Sequence, residues 1–298
     1  MSRPIDSILI PTDGSDGALA GANCAVALAS RIDADVQIHA LAVVDDPDWL
    51  RNFDDDVVAA LEEDATEAVE AIEELVSDHD DVTVTTVVKR GTPFQTIREY
   101  AYRREIDVIT MGTTGRTGLG KVLLGSVTEN VLRTAHVPVL AVPPNADVES
   151  AADVSFDRLL LPTDGSEGAA IATQWGVALA RSLESTLHAF SAVDAGPIAQ
   201  VTSPDDALAA LEQRSEAAVD AILERAAAAD VSVSGTVTTG SATDAILEHA
   251  SDEDVDLIVM GTHGQTGVGQ WFLGSVTENV VRQATVPVFC VPVSADAP

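Results

Sequence analysis

The chain is written twice. "ILIPTDGSDGALAGA", beginning at Ile8, is answered by "LLLPTDGSEGAAIAT" from Leu159. "DVITMGTTGRTGLGKVLLGSVTENVLRTAHVPVLAVP" from Asp107 is answered without a gap by "DLIVMGTHGQTGVGQWFLGSVTENVVRQATVPVFCVP" from Asp256, 149 residues later. The repeating unit is far longer than the 20–50 residues of a solenoid repeat. It is the size of a whole domain. A duplicated domain follows, with copies at residues 1–145 and 155–295 joined by the polar stretch Pro144 to Ser155. That stretch has linker composition.

Within one copy, short β-rich runs alternate with longer helical ones. "SILIP" ends at Pro11 and reads as a buried strand, followed by helical spacing from Ser15 to Ile32 with Ser15 as a cap. Asp35 to Asp45 is a second strand, Val57 to Val76 an amphipathic helix, and Val82 to Gly91 an alternating, less buried strand. A helix from Pro93, the strand "DVITMG", a helix from Ser126 and the strand "VPVLAV" complete the unit. Alternation of this kind requires parallel strands and right-handed crossovers. The expected fold is α/β: two tandem three-layer α/β/α domains, each with a five-stranded, Rossmann-like parallel sheet. If the strand order is 3-2-1-4-5, ligands belong beyond the carboxyl ends of strands one and four, where the order reverses. "PTDGS" and the Gly-rich loop after strand four both fall there.

Acids outnumber bases 48 to 16, and Lys occurs only at positions 89 and 121. Such a surface disfavours nucleic acid, whose binding requires cations against phosphates. The apolar content of 46% argues against disorder as the cause. The charge balance is instead that expected of a folded protein in a high-salt cytoplasm, where self-repulsion is screened. A halophilic source is expected. No apolar run is long enough for a bilayer span and no signal-peptide order opens the chain, so a cytoplasmic, membrane-free protein is expected. Cys24 and Cys290 each sit in an apolar stretch without metal-ligand spacing and read as buried free thiols.

The Gly-rich loop superficially matches a phosphate-binding P-loop. Gly115, four residues, Gly120 and Lys121 fit, but Val122 stands where Ser or Thr must reach Mg²⁺. In the second copy Gln270 and Trp271 replace both Lys and hydroxyl, so the likeness is accidental. What the copies share is Gly112-x-x-Gly115, nine residues, Gly125-Ser126, matched by Gly261-x-x-Gly264, nine residues, Gly274-Ser275. Glycines let backbone N–H groups approach an oxyanion, and the last Gly-Ser opens a helix whose N-terminus favours phosphate. This cradle needs no Lys.

The G-x-x-G, nine residues, G-[ST] pattern, joined to an early "PTDGS" and followed by "GSVTENV" and "VPVLAV" or "VPVFCV", resembles the ATP-binding branch of the universal stress protein family, in a tandem form spanning nearly the whole chain. The resemblance implies binding of ATP or another adenine nucleotide, with Mg²⁺, and metal ligands that it does not specify. It implies an adenosine pocket at Pro11, Thr12 and Asp13, with Val43 contributing backbone hydrogen bonds to adenine. Met111 and Gly112 would lie by the ribose. Gly115, Gly125, Ser126, Val127 and Thr128 would surround the phosphates, while Arg116 and Lys121 could contact a triphosphate by charge or be ordinary solvated side chains. The second copy offers Pro162, Thr163, Asp164, Ala192, Met260, Gly261, Gly264, Gly274, Ser275, Val276 and Thr277. Asp13 and Asp164 could otherwise cap the first helix of each copy, and Met111 and Met260 could be plain core. His263 reads as a local hydrogen-bonding group rather than a base. Trp271 could cover a nucleotide or pack under the loop.

No positioned base is evident beside the cradle, so a nucleotide-binding stress-response protein is expected ahead of a slow ATPase or phosphotransferase. A purely structural dimerisation module is the third alternative. Each final strand would leave an apolar edge, which suggests an intramolecular pseudo-dimer through those strands, with further homodimerisation possible. Arg116 and Lys121 in copy one face Gln265 and Gln270 in copy two, which predicts tighter ATP binding in the first copy.

Overall fold

A computed structural model describes residues 5–32, 36–45, 55–77, 79, 82–115, 124–146, 148–194, 204–264 and 273–298. The first half runs β1 (Ser7–Thr12), α1 (Asp16–Ile32), β2 (Gln37–Val44), α2 (Asp55–Ser77), β3 (Thr83–Arg90), α3 (Pro93–Arg103), β4 (Val108–Gly112), α4 (Ser126–Thr134) and β5 (Val139–Val142). The second repeats it as β6 (Arg158–Pro162), α5 (Glu167–Ser182), β7 (Thr186–Val193), α6 (Pro204–Ala228), β8 (Val233–Thr239), α7 (Ala242–Asp252), β9 (Leu257–Gly261), α8 (Ser275–Gln283) and β10 (Val288–Val291).

The strands form one ten-stranded sheet, ordered β3-β2-β1-β4-β5-β10-β9-β6-β7-β8. Each half therefore has the expected 3-2-1-4-5 order, with all pairings inside a half parallel. The halves meet where β5 and β10 run antiparallel, with Leu140 opposite Phe289 and Val139 opposite Cys290. Burial explains the order. β1 and β4 are covered on both faces and are almost wholly apolar, whereas Thr-rich β3 is only half-buried and lies at an end of the sheet. Leu28 of α1 and Ile72 of α2 share one helical layer with Trp175 of α5 and Ile222 of α6. Ile97 of α3 and Val131 of α4 share the opposite layer with Ile246 of α7 and Val280 of α8. Each layer is thus continuous across the β5–β10 seam.

The connecting stretch is not a free tether. Residues 151–153 form a short 3₁₀ turn, and the buried Asn23 side chain of α1 donates to the Glu149 carbonyl at 3.0 Å. Arg31 donates to Asp157 Oδ1 at 2.9 Å and to the Leu183 carbonyl at 3.1 Å, fastening α1 to the second half. Cys24 and Cys290 are buried free thiols, both pushed up to about 12 by burial. Among the described residues no helix is long and apolar enough to cross a membrane.

Two histidines, His39 buried and His249 half-buried, make the fold sensitive to acid. His39 lies between the Tyr100 hydroxyl, 2.8 Å from Nδ1, and Gln37 Oε1, 3.1 Å from Nε2. Burial, then the nearby Arg104 charge, lowers its pKa. His249 stacks on Phe190 with centroids 4.6 Å apart, and burial lowers its pKa as well, against the opposing pull of Glu253. The unfolded chain, with ordinary histidines titrating near about 6.5, then binds protons that the folded chain refuses. Stability is complete above that pH and is lost as pH falls below it. Thermal unfolding followed from pH 7.5 to 5.5 should show a falling Tm, and the fall should shrink in His39→Gln. An equal fall in that variant would remove His39 from the explanation.

Candidate functional site

At the end of β1 the chain must turn sharply into α1. Gly14 takes φ 74°, a left-handed conformation that glycine adopts without strain, and its N–H donates to Thr12 Oγ1 at 3.1 Å. Asp13 Oδ1 accepts from the Ser15 N–H at 3.1 Å and from its hydroxyl at 2.5 Å. Ser15 Oγ then accepts from the Ala18 N–H at 3.3 Å. The second half copies this turn: Gly165 has φ 72°, Asp164 Oδ1 accepts from the Ser166 N–H at 2.9 Å, and Ser166 caps α5 by accepting from Ala169 at 3.2 Å. The caps of these helices are therefore the serines. The aspartates order the turn with one oxygen and turn the other toward the Gly-rich loop. A Cβ on Gly115 would stand 2.6 Å from Asp13 Oδ2, and one on Gly264 2.7 Å from Asp164 Oδ2.

β4 brings the second wall. A Cβ on Gly112 would lie 2.2 Å from the Gly17 carbonyl oxygen, and one on Gly17 2.2 Å from the Thr114 carbonyl oxygen. The start of α1 and the end of β4 thus touch backbone to backbone. Gly17 and its counterpart Gly168 were not singled out by spacing, because a helical glycine among alanines carries no signal of a close approach. Met111 and Met260 are buried at 6% and 5% exposure, each within the apolar cluster that includes Leu124 and Leu273. Val43 and Val127 pack at the edge of the same cluster.

α4 opens the crevice toward charge. Gly125 is its N-cap, with extended backbone and no side-chain cap, and α8 begins identically at Gly274. The Gly125 N–H is committed to the Thr113 carbonyl at 2.7 Å, and the Gly125 carbonyl accepts the first helical bond from Glu129 at 2.8 Å. The N–H groups of Ser126, Val127 and Thr128 belong to the first turn, where no intrahelical acceptor exists. The Thr128 hydroxyl is engaged elsewhere, donating to the Gly112 carbonyl at 2.9 Å, as Thr277 does to Gly261 at 2.8 Å. Those hydroxyls tie helix to strand. The Ser126 and Ser275 side chains are exposed.

In the second half these parts enclose a cavity of about 220 Å³ bordered by all eleven residues named there from the sequence, Ala192 among them. Phe190, Ala242, Ile246 and His263 also line it. The first three carry no motif; their place follows from β7 and α7 flanking the switch point. His263 Nδ1 lies 2.9 Å from Thr262 Oγ1, and its buried Nε2 has no partner among the described residues. Arg116 and Lys121, with Gln265, Gln270 and Trp271, lie outside the described residues. Among the described residues no group of three or more His, Cys, Asp or Glu could hold a metal ion.

Two doubly wound halves, each with a Gly-cornered crevice at its switch point, define a tandem α/β class built by duplication. The chain belongs to the universal stress protein family, whose model matches residues 4–143 and 155–292. It is 38% identical over 139 residues to universal stress protein MJ0531 of Methanocaldococcus jannaschii, covering 45% of this chain and 80% of that protein. It is 29% identical over 229 residues to universal stress protein Mb2028c of Mycobacterium bovis, covering 74% and 73%. A crystal structure of a universal stress protein from Archaeoglobus fulgidus is similar with TM-score 0.71 and 23% identity over 97% of each chain, a likeness of fold.

Proposed function

We propose that each half, taken as residues 1–145 and 155–295, binds one adenine nucleotide, ATP foremost, and that the chain is an ATP-binding stress-response protein. The observation that carries this reading is an uncapped helix N-terminus facing an aspartate-ordered turn across an apolar floor, repeated in both halves. The floor suits a flat base, the turn suits ribose hydroxyls, and the helix N-terminus suits phosphate. On this reading Pro11, Thr12, Asp13 and Val43 serve adenosine in the first half, and Gly115, Gly125, Ser126 and Val127 serve the phosphates, joined by Arg116. Mg²⁺ would accompany the phosphates, since it commonly takes one or two carboxylates plus phosphate oxygens, and Asp13 and Asp164 stand at the cleft mouths.

Hydrolysis is the second reading. Among the described residues bordering the second cleft, Asp164 and His263 are the titratable side chains. Phosphoryl transfer also requires a held nucleophile and neutralisation of the terminal phosphate, so turnover at best slow is expected. We further read the two halves as a pseudo-dimer joined at β5 and β10, open to further homodimerisation, and the acidic surface as an adaptation to a halophilic cytoplasm. Native mass spectrometry of the purified protein should find up to two adenine nucleotides per chain, and calorimetry should find two sites on the emptied protein. Adenine nucleotides failing to bind at millimolar concentration would overturn the reading.

A further inference from the structure

The second cleft does not end at its own loop. His263 and Gly264 border both it and a larger groove of about 900 Å³ lying between the halves. One wall of that groove is first-half α3 and α4 with the turn after α4, contributing Arg98, Arg133 and His136; the other includes Arg214 of α6. The chain carries three acids for each base, yet three of its sixteen Lys and Arg side chains line this one groove. Glu167 is the acid among its lining residues. The local charge balance is thus the reverse of the global one.

The arginines differ in their commitments. Arg133 is paired with Glu129 at 2.6 Å and stands 3.9 Å from Glu278. Arg98 and Arg214 form no ion pair among the described residues, although the chain carries 48 acids. Burial and then the Arg98 charge lower the pKa of His136, with Asp296 opposing, as expected where positive potential gathers. Arg214 lies beside the aspartate turn: its Nε would be 3.9 Å from a Cβ on Gly165.

The groove also breaks the symmetry of the duplication. By the internal alignment, the counterparts of Arg98, His136 and Arg214 are Leu247, Thr285 and Asp64. The half whose loop carries Gln265 and Gln270 in place of Arg116 and Lys121 is therefore the half with arginines waiting in the adjoining groove. The cavity of about 220 Å³ is smaller than the roughly 300–1,000 Å³ of drug-sized sites, which leaves a charged tail to extend beyond it.

We propose that this inter-half groove is a phosphate site for the second cleft, in which Arg98 and Arg214 receive the oligophosphate end of a nucleotide seated there. The guanidinium fork matches phosphate oxygens and keeps its charge at any physiological pH. The first half thereby supplies binding groups to the second, and the Gln-for-cation exchanges in the loop are offset from outside it. This inference rests on the nucleotide reading above.

The test uses the full chain with the first cleft closed by Gly115→Val, and three probes measured by calorimetry at fixed KCl: ATP, AMP and inorganic tripolyphosphate. In Arg98→Gln/Arg214→Gln, ATP and tripolyphosphate should weaken by about tenfold or more, while AMP changes by less than about twofold. Arg214 is exposed and Arg98 half-buried, and neither is in an ion pair among the described residues, so an unchanged circular-dichroism melt should accompany the loss. ATP weakening no more than AMP overturns the proposal. If neither ATP nor AMP binds, the nucleotide reading fails on its own, and tripolyphosphate decides the groove. Binding that the double variant loses sustains a phosphate site, and no binding to the parent protein overturns it.

Discussion

Gly115→Val should leave the first half folded and abolish its nucleotide binding, whereas Gly112→Val should unfold it. The two glycines stand three residues apart in one motif, but an added side chain meets different neighbours. At Gly115 the Cβ meets the carboxylate of Asp13, 2.6 Å away, an exposed side chain that can swing aside. Its displacement disorders the turn and fills the mouth of the crevice without touching the core. At Gly112 the Cβ would meet the Gly17 carbonyl at 2.2 Å, backbone against backbone, and α1 would have to lift off β4. Small-to-large changes in such contacts cost about 1–3 kcal/mol and more where the backbone cannot shift. For Gly115→Val, a loss of about 100-fold in first-site affinity, about 3 kcal/mol, is expected with a near-parental Tm. Calorimetry alongside thermal melts checks both substitutions. A folded Gly112→Val that still binds, or a Gly115→Val that binds like the parent, would show that the loop is not built as described.

Residues 1–145 produced alone should associate into a two-fold dimer through β5. In the full chain Val139, Leu140 and Ala141 are buried at 1%, 0% and 0% exposure, with β10 covering their edge. Removing the second half uncovers that edge and the ends of both helical layers. "VPVLAV" is so like "VPVFCV" that a second copy of the first half can take the place of the missing one. An antiparallel pair of identical strands is self-complementary, with Leu140 near the centre where Phe289 stood. Sedimentation at tens of micromolar should give the mass of two copies, and Leu140→Asp should reduce it to one or to aggregate, because a carboxylate buried in that seam has no partner. A stable monomer of the unaltered half would contradict this account of the edge.

The glycine positions were legible because their spacing recurs 149 residues later with different residues between. Periodicity located the strands to within a residue or two, since buried parallel strands must be apolar on both faces and Pro and Gly punctuate them. The P-loop likeness is discounted on sequence alone, by Val122 in the first copy and by Gln270 and Trp271 in the second. Less legible was what each polar side chain does. Asp13 and Ser15 stand two apart in a turn, and either could cap α1; the coordinates give the cap to Ser15 and leave Asp13 facing Gly115. Thr128 follows the Gly-Ser pair, yet its hydroxyl bonds to the Gly112 carbonyl.

The sequence by itself determined the duplication, the strand and helix order and the doubly wound class. These depend on local periodicity and backbone stereochemistry, which act over a few residues. Tertiary structure alone decided what meets across long separations. It placed Gly17 against β4, pinned the linking stretch to Asn23, and joined two five-stranded sheets into one at Leu140 and Phe289. It also gathered Arg98, Arg133 and Arg214 into one groove. No pattern along the chain encodes that last juxtaposition, because the arginines come from three helices in two halves and adjoin only when the antiparallel seam fixes the halves against each other.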